Sequence, residues 1–467
     1  MNEMPVVDAR ERAHLPRVLG LHTLVALIVG IAVSQVGLVG VLQGIGLIGG
    51  ESLPIIVGAF VTAVILAITY AASFSELSLM MPSSGGLSRY TEIAMGHFPA
   101  LLATFSGYVV VNMFGLSAEL LLFDNIVREV FDLDIPHSMV ALMLLGALAV
   151  LNIRGTDVFA VLQNSSTAIK VAIMIASGAA VIWVQPGFWA TAHQKGVEAG
   201  AFPGDIFPTG VALFFWCFVA AEFVCPMMKE TKAPERNIPR SMVVGIIMLA
   251  ALYGCYAFGA VHFLSRETLV DSPFPHLEYA KAVFGRAGSM VLMVFATAAT
   301  IGLINGVLAG VSRMLYGMAH DGQAFRFLGK LHPTYGTPWV GIIFMAFICG
   351  APLVLLGDEP ATIMTLVVSA STSWLLAYIV AHLDVIILRI RYPMAARPFR
   401  TPFFPVLPML GIGGMGYVII HNPVSVLIMT GLVLGVVGLI SAIWVRLVMK
   451  RPLLAPEPWS GRVGAQE

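Results

Sequence analysis

The sequence predicts an all-α integral membrane protein with twelve transmembrane helices, on three observations. Charged residues make up 11% of the 467 and apolar residues 58%, whereas soluble proteins carry about 25% charged residues. A surface this poor in charge faces lipid rather than water. Apolar stretches of about 20 residues, the length that crosses a bilayer, recur twelve times. Lys and Arg concentrate in alternate loops, as the positive-inside rule requires.

The expected spans run roughly over 18–49, 53–80, 98–128, 136–152, 157–184, 207–228, 241–264, 288–316, 338–356, 362–388, 405–421 and 424–446. The first and third are long enough to be tilted or broken. Residues 1–17, MNEMPVVDARERAHLPR, are polar and lead into a full-length span, so no cleavable signal peptide is expected. With the N-terminus inside, 20 of the 26 Lys and Arg fall in cytoplasmic segments. Five are external (Arg128, Lys195, Arg266, Lys281, Arg286), and Lys170 lies within a span. Both termini are then cytoplasmic, which an even number of spans satisfies.

Several features carry no function. Cys217, Cys225, Cys255 and Cys349 lie in apolar segments without paired spacing and read as small buried hydrophobes. The string 44-GIGLIG-49 fits a dinucleotide fingerprint but sits in the first span, where glycines serve close helix contact or a loosened backbone. Asn164-Ser165-Ser166 is a formal glycosylation sequon inside a span. The zinc-protease, P-loop and nucleophile-elbow patterns are absent, so neither an enzyme nor a cofactor or metal is expected.

Two spans depart from plain helix. In 30-GIAVSQVGLVG-40, glycines weaken the helix at mid-membrane, while Ser34 and Gln35 offer partners to freed backbone groups. A tightly packed helix crossing is one reading. The other is a discontinuous helix whose half-helix ends point at a ligand. If spans 1–5 recur as 6–10, the counterpart of the first span is 210-GVALFFWCFVAAEFVCPMMKETK-232. There Glu222 is embedded in apolar residues, a costly position unless it is paired, protonated or beside a wet cavity. The odd offset of five gives the two halves opposite topology, as an inverted repeat requires.

Lys170 is the second anomaly, 13 residues past Asp157 and about 20 Å along a helix. It reads as a lysine neutralised or paired for structural reasons, as a proton carrier, or as a fixed cation in place of a coupling sodium ion. Glu119, in the outer half of the third span, reads as facing an outward vestibule, where it could attract cations, or as a helix–helix contact. Asn112, Asp124, Thr297, Thr300, Asn305, Ser369, Ser371, Ser373, His382 and Asp384 read mainly as helix–helix hydrogen bonds.

Five motifs in order resemble the amino acid–polyamine–organocation transporter superfamily over nearly the whole chain. They are 74-FSELSLMMPSSGGLSRYTEIAMG-96, 151-LNIRGTDVFAVLQNSSTAIK-170, 215-FWCFVAAE-222 with 229-KETKAPERNIPRSM-242, 312-SRMLYGMAHDG-322, and 397-RPFRTPFFPVLP-408. The resemblance implies a five-plus-five inverted repeat, with spans 1 and 6 unwound around the substrate, plus two C-terminal helices. It divides the chain into a cytoplasmic tail 1–17, a transport core 18–388, helices 11–12 with their preceding loop over 389–446, and a cytoplasmic tail 447–467. It places substrate contacts at Ile31, Ser34, Gln35, Gly37, Asn112, Trp216, Phe218, Ala220 and Asn305, and proton coupling at Lys170 and Glu222.

The expected activity is secondary transport of a small amino acid or amine in the cell membrane by alternating access, through proton symport or substrate exchange. The partners are then a small-molecule substrate, protons and the lipid bilayer, and not a nucleic acid. Sodium coupling is the rival driving force, and Lys170 counts against it. In relatives a Gly-Ser/Thr-Gly backbone in span 1 takes the substrate carboxylate, whereas this chain has Ser34-Gln35-Val36-Gly37. The usual glycine of span 6 is here Ala220. These departures leave open a carrier of amines or amino alcohols without carboxylate recognition. A non-transporting sensor is the alternative from another class, and short tails speak against it.

Overall fold

The computed structural model describes residues 19–48, 53–82, 86–184 and 206–459. The expected tail 1–17, Lys195 and residues 460–467 lie outside them, as do the Ser-Ser-Gly positions 83–85. Every regular element among the described residues is helical. The first half contains α1 (Leu21–Ala32), α2 (Gln35–Ile48), α3 (Leu53–Met80), α4 (Leu87–Met95), α5 (His97–Thr104), α6 (Val111–Phe131), α7 (Met139–Arg154) and α8 (Thr156–Val184). It is followed by α9 (Ile206–Phe215), α10 (Pro234–Phe263), α11 (Arg266–Asp271), α12 (Pro275–Phe284) and α13 (Gly288–His320). The last four are α14 (Trp339–Leu355), α15 (Pro360–Arg391), α16 (Val406–Ile420) and α17 (Val424–Ile443).

Among the described residues, eight helical segments are long and apolar enough to cross a membrane. The pair α1–α2, bent by 66° at its break, makes a ninth. Three further apolar helices, α7, α14 and α16, have 16, 17 and 15 residues, at or below the roughly 17 that span a bilayer unaided. The most apolar 18-residue stretch of 207–228 is 89% buried, while that of 424–448 is only 17% buried. The broken segments therefore lie at the centre of the bundle, and α17 lies at its lipid-facing edge. Around the centre, α8 packs on α10 and α13, α1 on α10, and α6 on α15.

Gly44 and Gly46 of the fingerprint-like string serve packing, and its third glycine, Gly49, lies outside the described residues. A Cβ at Gly44 would come within 2.6 Å of the Phe214 ring, and one at Gly46 within 2.8 Å of Leu269. Of the four free cysteines, Cys217, Cys225 and Cys349 are buried and Cys255 is half-buried.

At one end of the bundle, two sequence motifs meet on a single carboxylate. Glu76, near the end of α3, accepts from Arg389 Nε (2.8 Å) and Nη2 (2.6 Å) at the end of α15. It also accepts from the Thr401 backbone N–H (2.7 Å) and pairs with Arg397 at 3.1 Å. The RPFRTP segment is thus folded back onto α3. Next to it, Thr91 Oγ1 on α4 donates to Asp384 on α15 (2.7 Å), and Ser88 Oγ donates to Gln323 (2.6 Å).

Beyond α17 the chain turns back over this end. The Phe98 N–H donates to Leu453 O (3.0 Å) and the Glu457 N–H to Glu92 O (3.2 Å). Glu457 is held between Arg451 (2.9 Å) and Arg89. Partial burial opposes its ionisation, but the two guanidiniums outweigh it and keep the carboxyl below the usual glutamate range.

Two outcomes follow from these contacts. Glu76→Gln removes the charge that two arginines share in a buried site, and should lower unfolding free energy by about 3–5 kcal/mol, read by denaturant titration in detergent. Glu457 has a depressed folded pKa, so its contribution is present above the ordinary glutamate range and is lost as pH falls through the folded value. Protease access to residues 453–459 should therefore rise on acidification, and in Glu457→Gln should be high and insensitive to pH.

Candidate functional site at two broken helices

Between Ala32 and Gln35 the helix stops: Val33 is extended, with φ −77° and ψ 108°. Such a break frees carbonyls at the end of α1 and N–H groups at the start of α2, and each is costly if left unpaired away from water. The chain supplies partners for both sets. Lys170 Nζ donates to Gly30 O (2.5 Å) and Val33 O (2.8 Å). The Tyr253 hydroxyl donates to Ala32 O (2.9 Å) and accepts from the Ser34 N–H (3.4 Å). Ser34 Oγ caps α2 by accepting from the Gly37 N–H (3.1 Å). Glu119 accepts from the Gln35 N–H at Oε1 (3.1 Å) and from the Val36 N–H at Oε2 (2.9 Å).

The two charges match the half-helix polarity. A cation sits at the C-terminal, negative end of α1 and an anion at the N-terminal, positive end of α2. Both Lys170 and Glu119 are 0% exposed. Thr300 Oγ1 on α13 donates to Glu119 Oε1 (3.0 Å) and accepts from Gln35 Nε2 (2.8 Å). Room for the ammonium comes from Gly302, where a Cβ would lie 3.1 Å from Lys170 Nζ.

The second break follows α9. A 3₁₀ turn, Trp216–Phe218, gives way to extended Val219 (ψ 174°), and a 3₁₀ segment Ala221–Glu230 begins after Ala220. Ala220 takes φ +73°, a left-handed conformation that favours glycine. The Tyr70 hydroxyl closes this break by donating to Phe218 O (2.6 Å) and accepting from the Ala221 N–H (3.3 Å). Tyr70 on α3 and Tyr253 on α10 thus play the same part at the two breaks.

The breaks touch each other. Trp216 Nε1 donates to Ser34 Oγ (3.2 Å), and Cys217 Sγ lies 3.6 Å from Gly37 O. The Trp216 ring packs on Trp374 with centroids 5.3 Å apart, in a slot that exists because residue 115 is glycine; a Cβ there would fall 2.2 Å from the ring. Glu222 is 1% exposed, and neither of its oxygens has a hydrogen-bond partner. The Tyr378 hydroxyl and Trp374 indole N–H face it, and these too close no hydrogen bond. A narrow crevice of about 20 Å³, room for roughly one water, is lined in part by Val36, Gly40, Gln43 and Phe274 and so reaches the start of α2.

The expected substrate positions divide into three groups. Ser34, Gln35, Gly37, Trp216 and Ala220 lie at the two breaks. Phe218 puts its carbonyl on Tyr70 and packs its ring edge-on against Phe60, with centroids 5.2 Å apart. Asn112 is engaged with its own helix, its Nδ2 donating to Tyr108 O (2.7 Å). Asn305 bonds Asn152 (3.0 Å) and Gln163 (3.4 Å), in a network next to Ile31, which a Cβ at Gly306 would approach to 3.1 Å. Glu119 corrects the outward-vestibule reading: its carboxylate is turned inward to the break. Sequence reasoning missed Tyr70, Tyr253, Trp374 and Tyr378, because an aromatic residue in an apolar span carries no signal of what its polar tip meets.

Among the described residues no cluster of His, Cys, Asp or Glu could hold a metal ion. Against known proteins, a family model described as amino acid permease matches residues 19–445. The chain is 26% identical to a serine/threonine exchanger of Bacillus subtilis, over 80% of this chain and 85% of that one. It is 25% identical to a branched-chain amino acid permease of the same organism, covering 85% and 86% of the two. A methylthioribose transporter, also from Bacillus subtilis, is 25% identical over 77% and 79%. These relatives are carriers and not enzymes. With the family model matching most of its length, this chain belongs to the amino acid permease family of the amino acid–polyamine–organocation superfamily.

Proposed function

We propose that this protein is a secondary active transporter of a small amino acid or amine, working by alternating access in the cell membrane with both termini cytoplasmic. The observation that carries the reading is the pair of touching helix breaks at the centre of the bundle. Irregular backbone at membrane depth is tolerated where it lines a ligand path, and carriers use half-helix ends in this way. Counting α7, α14 and α16 as crossings brings the nine long spans to twelve. The breaks then fall in the first and sixth, the matching positions of a five-plus-five inverted repeat followed by two more helices. The exchanger and permease named above support an amino acid as cargo, while the methylthioribose transporter is named for a different one.

Protons are the proposed coupling ion, by symport or exchange. Lys170 holds two carbonyls of the break, and a cation fixed there leaves a sodium ion no function. Glu222 is a buried acid at the second break, with the Tyr378 hydroxyl and Trp374 indole N–H facing it, and is the proposed site of proton exchange. Uptake of labelled alanine and ethanolamine into proteoliposomes, with and without an inward proton gradient, tests the reading. Accumulation of either inside sealed vesicles supports transport, and its dependence on the gradient supports the coupling.

Two variants separate the roles. Lys170→Ala leaves Gly30 O and Val33 O unpaired and should cost about 1–3 kcal/mol of stability for each; its remaining uptake should no longer respond to the pH gradient. Uptake that stays gradient-driven in this variant would rule out Lys170 as the proton carrier. Glu222→Gln keeps the shape but carries no exchangeable charge. It should retain counterflow of labelled substrate while losing net accumulation, measured in the same vesicles.

A further inference from the structure

At the start of α2, the free N–H groups of a 14-residue helix face the meeting point of the two breaks. Such a terminus attracts a carboxylate. The place is already filled by the chain itself, since Glu119 lays one oxygen on the Gln35 N–H and the other on the Val36 N–H. Thr300 Oγ1 and Gln35 Nε2 (3.4 Å) complete its shell. Other donors at the break are also committed: the Ser34 and Gly37 N–H groups, Trp216 Nε1, Lys170 Nζ and the Tyr253 hydroxyl all bond within the chain.

What stays open at the first break is an acceptor. Gln35 is 0% exposed and its Oε1 has no partner. Its orientation is set by Nε2, which faces the Glu119 carboxylate and Thr300. The second break adds the Glu222 carboxyl, which the Tyr378 hydroxyl and Trp374 indole N–H face. A ligand carboxylate at the first break would meet one carboxylate already seated and an outward carbonyl oxygen. An ammonium or hydroxyl would meet acceptors.

We infer that Glu119 is a built-in occupant of the carboxylate seat, and that the substrate is a small amine or amino alcohol without a free carboxylate. This rests on the transport reading and narrows its substrate class. The cost of a misplaced ligand carboxylate is like-charge repulsion, which is stronger inside the bundle than in bulk water. A pair of molecules that differ only in that group should therefore separate by at least about tenfold in affinity, which corresponds to 1.4 kcal/mol.

The test has two arms on the full-length protein. In the first, thermal unfolding of wild type and Glu119→Ala is followed against sodium acetate, with sodium chloride as the ionic control. The variant should unfold at lower temperature and recover with acetate, which refills the seat, while wild type should not move. If acetate stabilises neither or both equally, the seat is not what Glu119 fills and the inference fails. In the second arm, ethanolamine competes with serine, and ethylamine with alanine, for uptake and for stabilisation. Wild type should take the amine of each pair, and Glu119→Ala should gain the amino acid by about tenfold. Wild type taking serine as well as ethanolamine overturns the inference while leaving the transport reading intact. Wild type taking neither would count against the proposed cargo, and the acetate arm would still decide whether the seat is self-filled. Should Glu119→Ala not fold, Glu119→Gln keeps the volume. Its amide N–H would oppose the two backbone donors, so it too should lose stability, and it should lose its discrimination against serine.

Discussion

Everything at the centre of this molecule depends on how the chain satisfies backbone groups released between Ala32 and Gln35. In water such groups would be solvated at no cost. Inside an apolar bundle each needs a partner, and an unpaired one costs more than a hydrogen bond typically returns. The partners come from four other helices: Lys170 from α8, Tyr253 from α10, Glu119 from α6 and, through Glu119, Thr300 from α13. The packing of those helices around α1 and α2 therefore has a polar reason as well as an apolar one. Buried charges are tolerated because each meets the helix end of opposite polarity.

The second break solves the same problem with fewer charges. Tyr70 spans it with one hydroxyl, and Ala220 supplies the left-handed turn at a steric cost of about 1–2 kcal/mol relative to glycine. Glu222 is left outside this arrangement, buried and unbonded. The two acids thus have opposite standing, Glu119 fully engaged and Glu222 free. The two carboxylates therefore do not compete for the same donors.

Much of the architecture was legible in the sequence, for physical reasons. Apolar runs of bilayer length and the scarcity of charge identify a membrane bundle, and glycine beside Ser34 and Gln35 marks a weak helix. An isolated Lys170 in a span requires a polar partner, which the structure supplies in the carbonyls of Gly30 and Val33. The role of Glu119 was not legible, because a carboxylate's depth is visible in sequence but its facing is not. The resemblance placed Asn112 and Asn305 among the substrate contacts; the hydrogen bonds they make, to Tyr108 O and to Asn152 and Gln163, were not legible, because sequence does not show what a side chain reaches. The RPFRTP motif was recognisable, but its partner Glu76 lies over 300 positions away and no local pattern connects them.

Tyr253 has a mechanical consequence. Its hydroxyl oxygen is bonded on one side to the last carbonyl of α1 and on the other to the first N–H after the break. A single oxygen thus ties the end of one half-helix to the start of the other. That oxygen is held by α10, so any change in the 66° angle between the half-helices is referred to that helix. Motion at the centre of the bundle is thereby geared to a helix that also reaches its surface.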